Sequence, residues 1–255
     1  MIIYSNAKIN IGLNILSKRV DGYHNISSVF YPINNCFDII EIKKSNKFLF
    51  TTSGVKIIGE NNLCLAAYNL ICSLFNIPPV HIHLHKQIPI GSGLGGGSSN
   101  ASFILKGLNK LFCLELTNSE LEKISLEIGA DCPFFIENKP KMVSGIGEIM
   151  KPINLDLSNF IIELYHSNIN VSTAEVFSKF KIIKKDDSLS TSIMEPVENW
   201  KRKINNDFEK LIFSTYPELE KIKENFYERG ALYSSMTGTG STIYGIFKKW
   251  FKHSL

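Results

Sequence analysis

The chain is short of arginine, of paired cysteines and of long apolar runs, and each shortage closes a class of function. Three arginines (Arg19, Arg202, Arg229) stand among 28 basic residues, whereas readers of nucleic acid lean on the arginine fork for base edges and phosphates. The net charge of +4 on 255 residues is mild, and the lysines are spread along the chain, so no nucleic-acid partner is expected. Five cysteines (Cys36, Cys64, Cys72, Cys113, Cys132) are an odd number with no C-x-x-C pair. They exclude a disulfide scaffold and read as small buried hydrophobes in a reducing compartment. No stretch approaches the ~18–20 apolar residues that cross a bilayer, so no membrane partner is expected. Residues 1–10 lack the basic and apolar regions of an export signal, which makes the cytoplasm the expected location.

What is present is enough for a large core. Hydrophobic residues make up 44% and charged residues 20% of the chain, and the length suits one large domain or two compact ones. Residues 2–50 read as strands and turns, with Asp21-Gly22 as a turn and Asp38–Lys43 alternating like a half-buried strand. Residues 63–75 show helical spacing, with Asn61-Asn62 as the cap region and Pro78-Pro79 as the stop. Val80–His85 is a period-two strand, and a glycine-rich loop at 91–97 leads to a helix expected from about Ser98 to Cys113. Thr117–Glu120 is a capping box. Beyond residue 150 the pattern restarts: a strand at 160–165, a helix after Ser172, a lysine- and serine-rich loop at 184–192, and a long helix at 217–229. Two short strands flank Thr237–Gly240. Strands and helices without strict alternation predict an α+β fold, with a domain boundary near 150.

The most informative segment runs Pro89-Ile-Gly91-Ser92-Gly93-Leu94-Gly95-Gly96-Gly97-Ser98-Ser99-Asn100. Five glycines in seven positions let the backbone take positive φ and bring its N–H groups close to a ligand. With a helix starting at the serines, this is an anion site suited to nucleotide phosphates. A flexible linker seldom sits between a clean strand and a capped helix. A Walker loop needs a lysine after the glycines, and none follows. A dinucleotide fingerprint remains open, because Gly91, Gly93 and Gly96 match G-x-G-x-x-G, although Glu115 falls just past the helix with no strand leading to it.

That segment resembles the phosphate loop of the galactokinase, homoserine kinase, mevalonate kinase and phosphomevalonate kinase (GHMP) superfamily. Ala7-Lys8-Ile9-Asn10 resembles its first motif, and Ser235–Ser241 its third, in the right order. Arg19–His24 and Gly129–Phe135 are similar to the branch of this superfamily that acts on 4-diphosphocytidyl-2-C-methyl-D-erythritol. Cys132 stands where relatives often carry Val, and relatives run on for a further helix or strand after Phe247. The resemblance implies a two-lobed α+β fold, with a lobe like domain 2 of ribosomal protein S5 over residues 1–150. A ferredoxin-like lobe would follow over 151–255, with the active site in the cleft. It also implies ATP as co-substrate, with Mg²⁺ held by phosphate oxygens and water and not by protein ligands. Small molecules are then the only partners, acting on a monomer or weak homodimer. The rivals are another GHMP kinase, such as a homoserine kinase, or an NAD-linked oxidoreductase.

Roles follow residue by residue. Phosphoryl transfer to an alcohol needs positioning, charge stabilisation and a proton acceptor. By resemblance Asp131 would take the proton; on the residues alone, a helix-terminus Asp making turn hydrogen bonds is the commoner reading. Lys8, on an apolar strand where a lone ammonium is costly, would pair with Asp131 and neutralise developing charge. By resemblance Tyr23 and Phe177 would sandwich the cytosine, His24 would bond its polar edge, and Asn10 and Thr173 would contact the erythritol–phosphate portion or the base. Thr237 and Gly238 would line the floor. Asn62 is expected near the nucleotide or as a helix cap, and Ser98 and Ser99 at phosphate, at Mg²⁺ water or as caps. His81, His83 and His85 share one strand face, where a metal site competes with a plain polar outer face. The segment Lys248–His253 reads as a solvated terminal helix.

Overall fold

A computed structural model describes residues 1–57, 62–167, 169–182 and 187–249. Residues 250–253 of the basic tail and 184–186 of the lysine-rich loop lie outside them, as does Asn61. The chain forms two compact units that are not sequential segments. One comprises Met1–Lys8, Pro32–Ile90 and Leu94–Lys139, and the other Ile9–Tyr31, Gly91–Gly93 and Pro140–Leu255. The sequence suggested a division near 150. The interleaving arises because two long strands, β1 (Ile2–Lys18) and β2 (His24–Lys44), each pass from one unit into the other.

In the first unit, β2 pairs antiparallel with β4 (Val80–Lys86), with Ile40 opposite Leu84, and β4 pairs parallel with β3 (Leu49–Gly54). Helices α1 (Leu63–Leu74), α2 (Gly96–Phe112), α3 (Asn118–Leu126) and α4 (Cys132–Glu137) complete it. Val80, Ile82 and Leu84 lie buried with Ile104, Leu105 and Leu108 of α2 and Ile71 of α1, as the period of each element requires. The expected capping box closes α3, with Thr117 Oγ1 accepting from the Glu120 amide. The outer face of β4 is satisfied by hydroxyls. His81 and His83 both bond Thr51 Oγ1 at 2.8 Å, and His83 and His85 bond Ser53 Oγ at 3.0 and 2.9 Å. Among the described residues, no three His, Cys, Asp or Glu side chains converge as a metal site.

In the second unit, β2 pairs with β5 (Lys141–Ser144) and β5 with β6 (Ile149–Pro152), both antiparallel. A separate antiparallel sheet has the order β7–β9–β8, from Phe160–Tyr165, Ile243–Lys248 and Tyr233–Met236. Around these lie α5 (Thr173–Lys179), α6 (Leu189–Ser192), a 3₁₀ turn (Val197–Arg202), α7 (Glu209–Thr215) and α8 (Pro217–Glu228). The core joins Leu13 and Ile15 of β1 to Phe208, Ile212, Leu219, Met236 and Ile243. All five cysteines are free thiols. Among the described residues no helix is long and apolar enough to cross a membrane.

Candidate active site

In the first unit the glycine segment turns into α2 two residues earlier than expected, at Gly96. Gly95 is the cap, in the left-handed region at φ +69°, and no side chain caps the helix there. The amides of the first turn therefore carry the helix's positive end without a side-chain acceptor. Glycine is required at 95 for space as well. A Cβ would stand 3.0 Å from Phe135 Cζ and 3.1 Å from both Cγ and Cε of Lys8.

Lys8 therefore runs past this helix start, on a strand whose neighbours Ala7 and Ile9 are fully buried. Its amide donates to the Leu94 carbonyl at 3.0 Å, which fixes the strand against the loop. Its ammonium lies 3.3 Å from Asp131 Oδ2, with Lys8 4% and Asp131 33% exposed. Asp131 occupies the cap position of α4 but makes no capping bond, so its carboxylate is turned to Lys8 rather than to the turn. Pro133 in the first turn of α4 and the buried, edge-on pair Phe134–Phe135 hold that helix start. Burial pushes the adjacent Cys132 thiol up to about 11 against the pull of a hydrogen bond from Ser98.

The remaining predicted nucleotide residues of this unit divide by what they touch. Asn62 caps α1, accepting from the Cys64 amide at 2.9 Å. Ser99 donates to the Asn6 carbonyl at 2.6 Å. Asn100 donates to Ser5 and to Asp38. Gly97 is exposed, and Pro89 and Ser98 are half-buried.

In the second unit Gly91, Ser92 and Gly93 meet the third motif. Thr237 Oγ1 accepts from the Asn10 amide at 2.9 Å and donates to the Gly93 carbonyl at 3.1 Å. A Cβ on Gly93, whose φ is +77°, would stand 2.2 Å from the Thr237 carbonyl oxygen. The Ser92 carbonyl accepts from the Thr242 amide, and Gly91 lies beside Asn170. Asn10 is buried, its side chain donating to Ser28 at 2.9 Å. Gly238, at φ +58°, has its carbonyl held by Asn206 at 2.8 Å. Thr173 begins α5, 3.0 Å from Thr239.

The predicted acceptor aromatics are not equivalent. His24 is buried and its ring lies 5.2 Å from Phe177, which meets Phe208 edge-on at 4.8 Å. Tyr23 follows the Asp21-Gly22 turn and is 60% exposed, with no ring contact to Phe177 among the described residues. Burial, with Lys18 nearby, holds the His24 imidazole below its ordinary value.

Four polar residues escaped the sequence reading. Asp38 and Lys86 form a buried pair at 2.6 Å in the first unit. In the second, Asn206 and Glu209 hold the third motif, Glu209 accepting from Ser235 Oγ and the Met236 amide. For the first pair a signal existed. Residue 38 shares the strand phase of buried Ile40 and Ile42, and residue 86 that of Ile82 and Leu84. A charge in a core phase needs a partner.

Comparison with known proteins shows the family of the chain. Residues 62–139 match the family described as GHMP kinases N terminal domain, and residues 193–249 match GHMP kinases C terminal. A 4-diphosphocytidyl-2-C-methyl-D-erythritol kinase of Azobacteroides pseudotrichonymphae is 46% identical over 99% of this chain and 95% of its own length. Its counterpart in Bacteroides fragilis is 46% identical over 97% and 92%. Among solved structures, a 4-(cytidine 5'-diphospho)-2C-methyl-D-erythritol kinase superposes with a TM-score of 0.81 at 28% identity, covering 96% of this chain and 90% of that one. The mevalonate kinase of Methanococcus jannaschii shares the fold, with a TM-score of 0.70 at 18% identity over 97% and 90%. With near-full coverage at this identity, an α+β fold shared with these kinases and both GHMP matches in sequence order, the chain belongs to the 4-diphosphocytidyl-2-C-methyl-D-erythritol kinase family of the GHMP kinases.

Proposed function

We propose that this chain transfers the γ-phosphate of ATP to the 2-hydroxyl of 4-diphosphocytidyl-2-C-methyl-D-erythritol, a step of non-mevalonate isoprenoid synthesis. The observation that carries the reading is the buried Lys8 ammonium, 3.3 Å from Asp131 and beside the uncapped start of α2. Phosphoryl transfer asks a protein mainly for position and charge, and these residues supply both. The amides of Gly96, Gly97 and Ser98 hold triphosphate oxygens at the helix's positive end. Mg²⁺ would come with the nucleotide, held by phosphate oxygens and water and not by protein side chains, and would supply further positive charge there. Asp131 accepts the proton of the acceptor hydroxyl as that oxygen bonds the γ-phosphorus and the bridging bond to ADP breaks. Lys8 holds the carboxylate in place and offsets negative charge on the transferring group.

In the second unit, Tyr23 and Phe177 take the cytosine faces and His24, neutral at physiological pH, its polar edge. Asn10, Thr173, Thr237 and Gly238 shape the place for the remainder of the acceptor. Asn62 and the segment from Pro89 through Leu94, Gly95 and Asn100 serve the nucleotide. The setting is the cytoplasm, and the partners are small molecules alone. A coupled ADP-release assay with MgATP tests the reading, with the cytidyl acceptor, homoserine and mevalonate in parallel. ADP formed only with the cytidyl acceptor is the expected result, and ADP formed with homoserine or mevalonate instead would overturn it.

A further inference from the structure

Two opposite charges lie in the buried phase of neighbouring strands of the first unit, apart from the Lys8–Asp131 pair. Asp38 on β2 has no exposure, and Lys86, the last residue of β4, has 4%. A buried carboxylate is costly unless its lone pairs are answered, and four donors answer this one. They are Lys86 Nζ at 2.6 Å, the amides of Gln87 at 2.6 Å and Ile88 at 2.8 Å, and Asn100 Nδ2 at 2.8 Å. The Lys86 ammonium also donates to the Ile88 carbonyl at 2.7 Å, and Asn100 Nδ2 to Ser5 Oγ at 2.8 Å. Burial lowers the Lys86 amine against the opposing pull of Asp38.

These partners are the two stems of one loop. Gln87 and Ile88 directly precede the segment that begins at Pro89, and Asn100 lies in the second turn of α2, which leaves it. The first turn rests on the pair as well, since a Cβ on Gly96 would stand 3.0 Å from Lys86 Nζ and 2.9 Å from Ile88 Cγ2. Well-packed apolar residues often replace a buried ion pair without loss of stability. An apolar pair would not hold two backbone amides and a helix side chain in one grip.

We propose that Asp38 is a positioning residue for the nucleotide: by tying Gln87 and Ile88 to Asn100 it sets the amides at the start of α2 on the triphosphate. The inference rests on the ATP reading above. Asp38→Asn keeps the shape and one acceptor oxygen for Gln87 and Ile88, but turns an NH₂ toward two donors, Lys86 and Asn100. The grip on α2 then opens while the entry stem stays held.

MgATP affinity is measured by titration calorimetry for the wild-type chain, Asp38→Asn and Ile71→Val, the last a core change in α1 that serves as a destabilised control. Steady-state KM values for ATP and acceptor and a thermal melt accompany each. The expected result is MgATP binding weakened by about ten-fold or more in Asp38→Asn. Its acceptor KM stays within about two-fold, and Ile71→Val keeps wild-type affinity. A folded Asp38→Asn with wild-type MgATP affinity, or with both KM values raised equally, overturns the proposal. Should that variant not fold, Ser5→Ala decides, because it removes the acceptor beside Asn100 and a long 3.4 Å bond to the Asp38 carbonyl while leaving the Asp38 carboxylate in place. A weakening of about two- to four-fold supports the tie, and unchanged affinity overturns it. A wild-type chain that binds no MgATP overturns the ATP reading itself, whatever Asp38 does.

Discussion

Replacing Lys8 by Met should separate folding from turnover. Methionine keeps an unbranched stem of similar length for the space beside Gly95 and Phe135, and takes only the charge away. The Coulomb attraction across 3.3 Å is about 5 kcal/mol at an effective dielectric of about 20. Most of that is offset by the cost of burying an ammonium that is 4% exposed. Asp131 is one-third exposed, so water can keep it ionised once Lys8 is gone. The net change in unfolding free energy should stay within about 1 kcal/mol of zero. Turnover has no such compensation, because the positive charge at the transferring group is lost outright. The loss of one preorganised electrostatic partner lowers kcat by about 10²–10³. Urea denaturation and the coupled ADP assay on one preparation read both quantities. A variant of wild-type stability that retains more than about a tenth of wild-type kcat would refute the role given to Lys8.

Asp131→Asn should abolish transfer while MgATP binding, followed by calorimetry, stays close to wild type; full activity would remove the proposed base. Tyr23→Ala should raise the KM for the cytidyl acceptor far more than that for ATP, because the ring is 60% exposed and stability should move by no more than about 0.5 kcal/mol. Equal effects on the two KM values would count against stacking. Because burial and Lys18 hold His24 below 6.5 when folded, the unfolded chain binds the extra proton. Stability is then fully present above pH ~6.5 and falls as pH drops toward the folded value. Urea midpoints between pH 5 and 7 should show this slope reduced in His24→Asn, and an identical slope in the variant would exclude the histidine as its source.

Much of this was legible because the informative residues announce themselves locally. The glycines between Gly91 and Gly97, the capping box at Thr117 and the alternation of Val80–His85 each answer to geometry that a few neighbouring residues impose. The start of α2 was misplaced because intrinsic preference disfavours glycine in a helix. Tertiary crowding overrules it, since no side chain fits at Gly96 above Lys86 and Ile88. The helix at Cys132–Glu137 is too short to show a period. Asn206 acts on residues distant in sequence, and Thr237 is held through contacts with Asn10 and Gly93. Long-range bonds of that kind leave no spacing to read. The side-chain ladder of Thr51, Ser53 and the three histidines was half legible: the strand face was visible, its hydroxyl partners were not.

The interleaved course of β1 and β2 bears on how the chain is made. The first unit has all its segments once Lys139 has left the ribosome. The second does not, because Leu13, Ile15 and Ile26 share a core with Phe208, Met236 and Ile243, which are synthesised long after them. Those side chains wait through most of translation for partners some two hundred residues away. Contacts of such separation are slow to form and leave apolar strand surface open to mispairing meanwhile. Half-finished chains should therefore be the species most in need of a chaperone, and a chain cut near residue 150 would strand the latter part of β1, from Ile9 onward, without the core it was built to enter.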